Sequence, residues 1–101
     1  MGLDAIDAAI CAETQLKSLG ATSKIGLTPM IGLNDVSREI FTTADAQMLV
    51  DFIKTYPDIA RVSMWSVARD NGGSAGSAYV SNESSGLAQA PYAFSKIFEN
   101  A

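Results

Sequence analysis

Apolar residues recur at helical spacing in three stretches of the chain. In residues 3–19 the apolar positions lie three or four residues apart, and Gly20 follows as a residue that commonly ends a helix. A second helix is predicted after a capping box formed by Thr42 and Asp45, and a third is predicted to begin at Pro91. The positions predicted to be buried are Ile6, Ala9, Ile10, Ala12, Leu16 and Leu19; Met48, Leu49, Phe52, Ile53 and Tyr56; and Tyr92, Phe94, Ile97 and Phe98.

Two further stretches are apolar on both faces, which predicts strands inside a sheet. The first strand is predicted over residues 24–32, although Pro29 has no N–H for a ladder and pairing should end or bulge there. The second is predicted over residues 61–67 and contains the only tryptophan, Trp65. The order helix, strand, helix, strand, helix predicts an α/β fold in which a right-handed βαβ unit holds two parallel strands. At least two strand edges should remain open.

The remaining segments are predicted to be loops. Residues 36–41 connect the first strand to the second helix. Residues 71–90 are rich in Gly, Ser, Ala and Asn, which predicts a long, weakly structured loop of the kind that is often functional or mobile. Its glycines do not form a phosphate-binding loop, because the spaced G-K-[ST] sequence is missing.

The composition excludes several classes of function. The 101 residues form one small domain of globular composition, and a net charge of −4 without a basic cluster argues against nucleic-acid binding. The chain has neither a signal-peptide pattern nor an apolar run of the roughly 20 residues that span a membrane. With no histidine and one cysteine, it offers no His-based catalysis, no internal disulfide and no Cys- or His-ligated zinc site, and we expect no metal or cofactor. Cys11 could be a reactive thiol, but a packing role in the first helix is favoured.

Polar residues follow each predicted strand. Asn34 and Asp35 follow the first, and Arg69 and Asp70 follow the second. Because the carboxyl ends of parallel strands meet at one edge, where α/β enzymes place their active sites, these residues are candidates for a site. Asp35 and Asp70 could form a carboxylate pair for acid–base chemistry. The favoured alternative is that Asp35 caps a turn and that Asp70 pairs with Arg69 or a backbone amide.

Trp65 has two interpretations: a core residue or an apolar platform for a sugar or another ring. Strand alternation places it on one face with Ser63 and Val67, and places Val62, Met64 and Ser66 on the other. Periodicity does not decide which face is buried.

Two segments together resemble bacterial chitinases of glycoside hydrolase family 18. T-P-M-I-G-L-N-D at residues 28–35 and S-M-W-S-V-A-R-D at residues 63–70 resemble the seventh and eighth strands of that family. Residues 1–9 and 91–98 resemble the helix before strand seven and the closing helix. The resemblance implies a (β/α)₈ TIM barrel of which residues 1–101 are the C-terminal quarter.

The resemblance also implies a function. The family hydrolyses β-1,4-linked N-acetylglucosamine polymers with retention, using a Glu as proton donor and the substrate's acetamido oxygen as nucleophile. Trp65 would be the floor of the subsite that holds the scissile sugar, which favours its interpretation as a platform. The substrate-binding residues implied by the resemblance are Trp65, Met30, Asn34 and Asp35, and Arg69 and Asp70 at the mouth of strand eight. The implied partner is chitin or a chitooligosaccharide, and the implied location is outside the cell.

The sequence departs from the family pattern in its catalytic residues. The D-x-x-D-x-D-x-E motif of the fourth strand is absent; a partial match at Asp4 and Asp7 fails at Ala9 and Cys11 and lies in a predicted helix. Ala68 stands where the family often has Asn. We therefore expect no catalytic residue in this chain and no activity of the chain by itself.

Two alternatives remain. The chain could be a non-enzymatic carbohydrate-binding or self-assembling piece, whose open strand edges pair with the remainder of a barrel or with another copy. It could also be an unrelated small α/β domain with a site at Asp35 and Asp70.

Overall fold

The computed structural model describes residues 1–36 and 39–101. In chain order its elements are α1 (Gly2–Ser18), β1 (Ile25–Leu27), β2 (Gly32–Leu33), β3 (Ile40–Phe41), α2 (Thr43–Ile53), β4 (Ile59–Val62), a 3₁₀ turn (Val67–Arg69) and α3 (Ala93–Phe98).

The strands β1 and β4 are parallel and are connected through α2, as the predicted βαβ order requires. Both are shorter than predicted, because regular pairing stops before Pro29, which cannot donate to the ladder. Beyond it, one isolated parallel bridge joins Met30 to Trp65. Within the described residues, β1 and β4 pair only with each other, so each has an unpaired edge. The fold is a small mixed α/β arrangement with parallel strands.

A short antiparallel hairpin begins at the last residue of the predicted first strand and ends inside the predicted loop at residues 36–41. β2 pairs with β3, with Gly32 opposite Phe41 and Leu33 opposite Ile40. Each strand has two residues, which is too few for an alternating pattern to appear in the sequence. Part of the predicted loop, residues 37–38, lies outside the described residues. Phe41 is fully buried, and the hairpin therefore contributes to the core.

Two apolar clusters hold the elements together. The larger joins the hairpin region to α2 and α3 through Ile31, Phe41, Ala46, Leu49 and Phe94. The smaller joins α1 to the parallel strands through Ala9, Ile25 and Ile59. These two clusters form a thin core, as expected for a chain of this size.

The predicted boundaries are confirmed at the end of α1 and at the start of α2. Gly20, which follows the end of α1, has a φ of 70°, a conformation that glycine adopts without strain. At the start of α2 the Thr42 hydroxyl accepts from the Asp45 N–H at 3.1 Å, and Asp45 accepts from the Thr42 N–H at 2.8 Å. These reciprocal bonds form the predicted capping box.

Several residues that were predicted to be buried lie at the surface. Cys11 is exposed, so its predicted packing role is wrong. One side of α1 packs on α2 and β1, so the apolar residues on its other side remain at the surface. The other exposed members of the predicted stripes are Ile10, Leu19, Met48 and Tyr92.

The third helix begins two residues later than predicted. Pro91 precedes it, and Tyr92 has a left-handed conformation with a φ of 60°. Ala93 is therefore its first residue. This short helix starts where a buried carboxylate binds its N–H groups, as described below, and not at the proline.

Candidate functional site

Trp65 is exposed at the end of the parallel pair. Trp65 retains 59% of its accessible surface and Val67 retains 60%, so the predicted buried strand through residue 67 is wrong. The alternating pattern correctly separated this face from Val62 and Met64, which pack against the larger cluster. Regular strand structure ends with β4 at Val62, three residues before Trp65, although the apolar sequence continues.

The backbone of Trp65 is held on both sides although its ring is exposed. Its N–H donates to the Pro29 carbonyl at 2.9 Å, and its carbonyl accepts from the Ile31 N–H at 3.0 Å. The peptide bond between Trp65 and Ser66 is cis. The combination of a fixed backbone with an exposed indole suits a surface that stacks on a flat apolar ligand.

Met30 and Asn34 lie on the segment opposite Trp65. Met30 is half-buried and pairs with Trp65 through the backbone. The side-chain amide of Asn34 donates to the carbonyls of Met30 and Gly32, each at 3.0 Å, and thereby fixes the turn after the bridge. Asp35, the next residue, is exposed. The three residues are thus placed at one end of the sheet, as predicted; their contact with a substrate stays a prediction.

A groove of about 360 Å³ borders Asn34. It lies between the hairpin and the loop at residues 71–90, and Trp65 is not part of its lining. Its lining residues are Leu33, Asn34, Glu39, Ile40, Ser77, Ala78 and Val80.

Arg69 lies inside the protein, not at a rim. It is 1% exposed, and its guanidinium donates to four backbone carbonyls. Nε donates to Ser81 at 2.6 Å and Nη2 donates to Leu33 at 2.7 Å. Nη1 donates to Ile31 and, at 3.4 Å, to Trp65. Burial lowers the pKa of Arg69, yet a guanidinium stays charged at neutral pH.

Asp70 is equally buried and faces other partners. Its Oδ1 accepts from the Gln89 side chain at 2.8 Å and from the Phe94 N–H at 3.1 Å. Its Oδ2 accepts from the Ser95 N–H at 2.8 Å and from the Ser95 hydroxyl at 2.7 Å. Burial alone would raise the pKa of Asp70, but the hydrogen bonds from Ser95, Gln89 and Phe94 outweigh it and hold the pKa below its usual range.

These contacts decide between the two interpretations of the charged residues. Asp70 binds backbone amides and caps α3, which was the favoured alternative, and it does not pair with Arg69 or Asp35. Both carboxylate oxygens of Asp70 are occupied, whereas Asp35 is exposed, so the structure does not form the proposed acid–base pair. The prediction that Arg69 and Asp70 lie at the mouth of strand eight and contact substrate is wrong, because each is 1% exposed.

The loop at residues 71–90 lacks helices and strands, as predicted, but it is firmly attached. Ser84 and Ser85 are buried, and the Ser84 hydroxyl donates to the Asn71 carbonyl at 3.0 Å. The Leu33 N–H donates to the Ser85 carbonyl at 2.8 Å, which joins the loop to the hairpin.

The sequence did not identify these serines, since nothing in local periodicity marks a buried hydroxyl. The sequence feature that relates to them is Gly32. It has a φ of 69°, and a Cβ there would lie 2.3 Å from the Ser85 carbonyl oxygen. A glycine at the end of an apolar stretch can indicate such a close approach.

Residues 1–36 and 39–101 contain no group of three or more His, Cys, Asp or Glu side chains that could hold a metal ion. Over the same residues, no helix has the length and apolarity that crossing a membrane requires.

Comparison with known sequences identifies chitinases. No protein-family model matches the chain. The chain is 42% identical over 77 residues to a probable bifunctional chitinase/lysozyme of Escherichia coli, covering 73% of this chain and 8% of that protein. It is 39% identical over 46 residues to endochitinase 11 of Metarhizium anisopliae, covering 46% of this chain and 9% of that protein. The chain thus spans less than a tenth of each relative.

Comparison with solved structures gives the same result. The catalytic domain of a hyperthermophilic chitinase from Pyrococcus furiosus superposes with a TM-score of 0.86 at 35% identity, over 97% of this chain and 34% of that domain. Catalytic-site mutants of active domain 2 of a thermostable chitinase from the same organism, complexed with chito-oligosaccharides, superpose equally well, with a TM-score of 0.86. In sequence and in fold, the chain is therefore similar to a part of chitinases.

Proposed function

We propose that the chain forms strands seven and eight, with their flanking helices, of a (β/α)₈ barrel of glycoside hydrolase family 18. Its role is to contribute sugar-binding residues to the hydrolysis of β-1,4-linked N-acetylglucosamine polymers. The proposal is supported by the similarity to chitinases in sequence and fold and by the two parallel strands with unpaired outer edges. Secretion is part of the proposal, since an insoluble polymer is met outside the cell.

The chain contributes binding but not the chemical step. The catalytic motif of the family is absent from the 101 residues, and with it the proton donor. General acid catalysis alone contributes about 10²–10⁴-fold to such reactions. An aromatic platform cannot replace a proton donor, so the chain by itself is expected to be inactive.

The exposed indole of Trp65 is the observation that carries the proposal. A large aromatic surface that is 59% exposed, on a backbone fixed by hydrogen bonds, offers a ready platform for the apolar face of a sugar ring. A chitinase domain of the same fold binds chito-oligosaccharides. We propose that Met30, Asn34 and Asp35 border the same subsite, because they lie on the segment paired with Trp65 or directly after it.

Titration of the chain with an N-acetylglucosamine tetramer tests the proposal. Because Trp65 is the only tryptophan, its fluorescence should change saturably, and calorimetry should show that Trp65→Ala abolishes binding. Tyr79→Ala is a matched control, since Tyr79 is an exposed aromatic residue on the loop, and it should bind as the parent does. A glucose tetramer, which lacks acetamido groups, should bind more weakly. The absence of any saturable change at millimolar sugar would refute the proposal.

An assembly role is the second candidate function, and the unpaired edges of β1 and β4 favour it. These edges would pair with the remainder of a barrel or with another copy of the chain. Size-exclusion chromatography with light scattering should then show species larger than a monomer that grow with concentration. A monomer at every concentration would rule out self-association.

A further inference from the structure

We propose that Arg69 is a positioning residue for Trp65. Its buried guanidinium fixes the backbone around Trp65, so that the exposed indole is held ready for a ligand before binding. The sugar-binding part of this inference rests on the proposed function; the effect on the indole does not.

The contacts of Arg69 converge on the segment that carries Trp65 and on the segment opposite it. The Trp65 carbonyl accepts from the Ile31 N–H at 3.0 Å and from Arg69 Nη1 at 3.4 Å. The same Nη1 donates to the Ile31 carbonyl. Arg69, Ile31 and Trp65 thus form a closed set of hydrogen bonds. The other two nitrogens of the guanidinium donate to the carbonyls of Leu33 and Ser81.

The need for this set follows from Pro29. Regular pairing between the parallel strands ends before this proline, and a single bridge at Met30 remains beside Trp65. The two bonds of this bridge hold the backbone of Trp65, but among the described residues no backbone bond joins the segment after Trp65 to the segment after Ile31. The guanidinium supplies N–H donors where the ladder does not.

Arginine suits this role better than other residues. Its planar fork presents five N–H groups in fixed directions, and here three nitrogens reach carbonyls of four residues. Lysine offers one nitrogen as a point charge and could not reach all of them. A buried cation is also costly, and none of the ion pairs among the described residues involves Arg69. An apolar residue would fill the space at lower cost if packing were the only requirement.

A fixed indole favours binding because less freedom is lost when the ligand arrives. Ordering a side chain and its backbone on binding reduces affinity, and ordering them beforehand avoids this loss. Arg69 would therefore act on affinity through Trp65, without contact with the sugar, since it is 1% exposed.

The test compares Arg69→Lys and Arg69→Gln with two controls. Arg61→Lys makes the same exchange at an exposed position of β4. Asp70→Asn alters the equally buried neighbour, whose carboxylate contacts α3 and Gln89 but not Trp65. For each variant, far-UV circular dichroism reports folding, and near-UV circular dichroism and acrylamide quenching report the environment of Trp65.

We expect Arg69→Lys to retain its far-UV spectrum while the near-UV signal of Trp65 falls to about half and the affinity for the N-acetylglucosamine tetramer falls about tenfold. Arg61→Lys should match the parent in every readout. Asp70→Asn should lower the melting temperature but keep the Trp65 signal while it is folded. A folded Arg69→Lys variant with an unchanged Trp65 signal would overturn the inference. Loss of all folded structure in both Arg69 variants would also overturn it, because Arg69 would then hold the whole fold.

The near-UV and quenching measurements need no sugar. If the parent chain does not bind the tetramer, the proposed function fails, and the signal of Trp65 still decides whether Arg69 positions it. If the parent binds and Arg69→Lys binds equally well with an altered Trp65 signal, Arg69 positions Trp65 but this position does not affect the affinity for the sugar.

Discussion

Arg69 and Asp70 are adjacent and oppositely charged, and each is 1% exposed, yet their side chains hold different parts of the molecule. Arg69 donates only to backbone carbonyls, in the segments around Trp65, the hairpin and the loop. Asp70 accepts from the N-terminus of α3 and from Gln89. Adjacent opposite charges in a sequence suggest an ion pair, but in an interior each charge is satisfied by whichever backbone groups lack partners. Arg69 thus holds the backbone beside the candidate site, whereas Asp70 anchors α3.

Removing the guanidinium should have the largest effect on stability. Arg69→Met leaves the carbonyls of Ile31, Leu33 and Ser81 without the donors that satisfy them. The bond to Ile31 is buried and those to Leu33 and Ser81 are half-buried. A buried unsatisfied group costs about 1–3 kcal/mol, so the free energy of unfolding should fall by about 3 kcal/mol. Urea denaturation measures it. The control Arg61→Met, at an exposed position, should change it by no more than about 0.5 kcal/mol. Equal effects of the two substitutions would contradict the role of Arg69.

Neutralising Asp70 should have a smaller effect. Asp70→Asn keeps the shape but replaces one acceptor oxygen with an N–H₂ group that cannot accept from α3. The expected loss is about 2 kcal/mol, comparable to the removal of a helix cap together with a charged hydrogen bond. Thermal or urea unfolding measures it, and Asp35→Asn is the control, because Asp35 is exposed. A loss no greater than that of Asp35→Asn would show that the carboxylate does not stabilise α3.

The smallest effect should be on the pH dependence of stability. The folded protein holds the pKa of Asp70 below its usual range, so its contribution is complete above the unfolded pKa of about 3.9 and is lost as pH falls through the folded pKa. Below about pH 4, stability of the parent should therefore fall more steeply than that of Asp70→Asn. Asp45, whose pKa is also held low, remains in both proteins and contributes equally. Parallel curves of unfolding free energy against pH would contradict the assignment.

Local chemistry made part of the fold predictable. The capping box of Thr42 and Asp45 and the termination at Gly20 depend on neighbouring residues, and both were predicted. The parallel order of the strands followed from the helix between them. The hairpin at Gly32–Leu33 and Ile40–Phe41 was missed because two-residue strands carry no period.

The order of the candidate site residues along the chain led to a prediction of their place in the fold but not of their burial. The apolar sequence around Trp65 suggested a buried strand, whereas regular pairing is interrupted at Pro29 and only one isolated bridge, at Trp65 itself, follows. Arg69 and Asp70 were assigned to a rim because they follow the second predicted strand, and the carboxyl ends of parallel strands meet at one edge. What buries them is a set of backbone groups from distant segments, and no local pattern reports where those groups will lie.

In the part of the chain that the structure describes, β1 and β4 each have one unpaired edge, and these edges constrain how the chain can associate. An added strand satisfies one edge and leaves the other free, so pairing between identical copies leaves a free edge at each end of the stack. Such growth stops only if the rotation from copy to copy closes a ring; otherwise it continues as a filament. A single different polypeptide can pair with both edges only if its strands form a continuous curved sheet that reaches from the edge of β1 to the edge of β4. The isolated chain is therefore expected to form fibres during expression, and co-production with a polypeptide whose strands pair with both edges should suppress them.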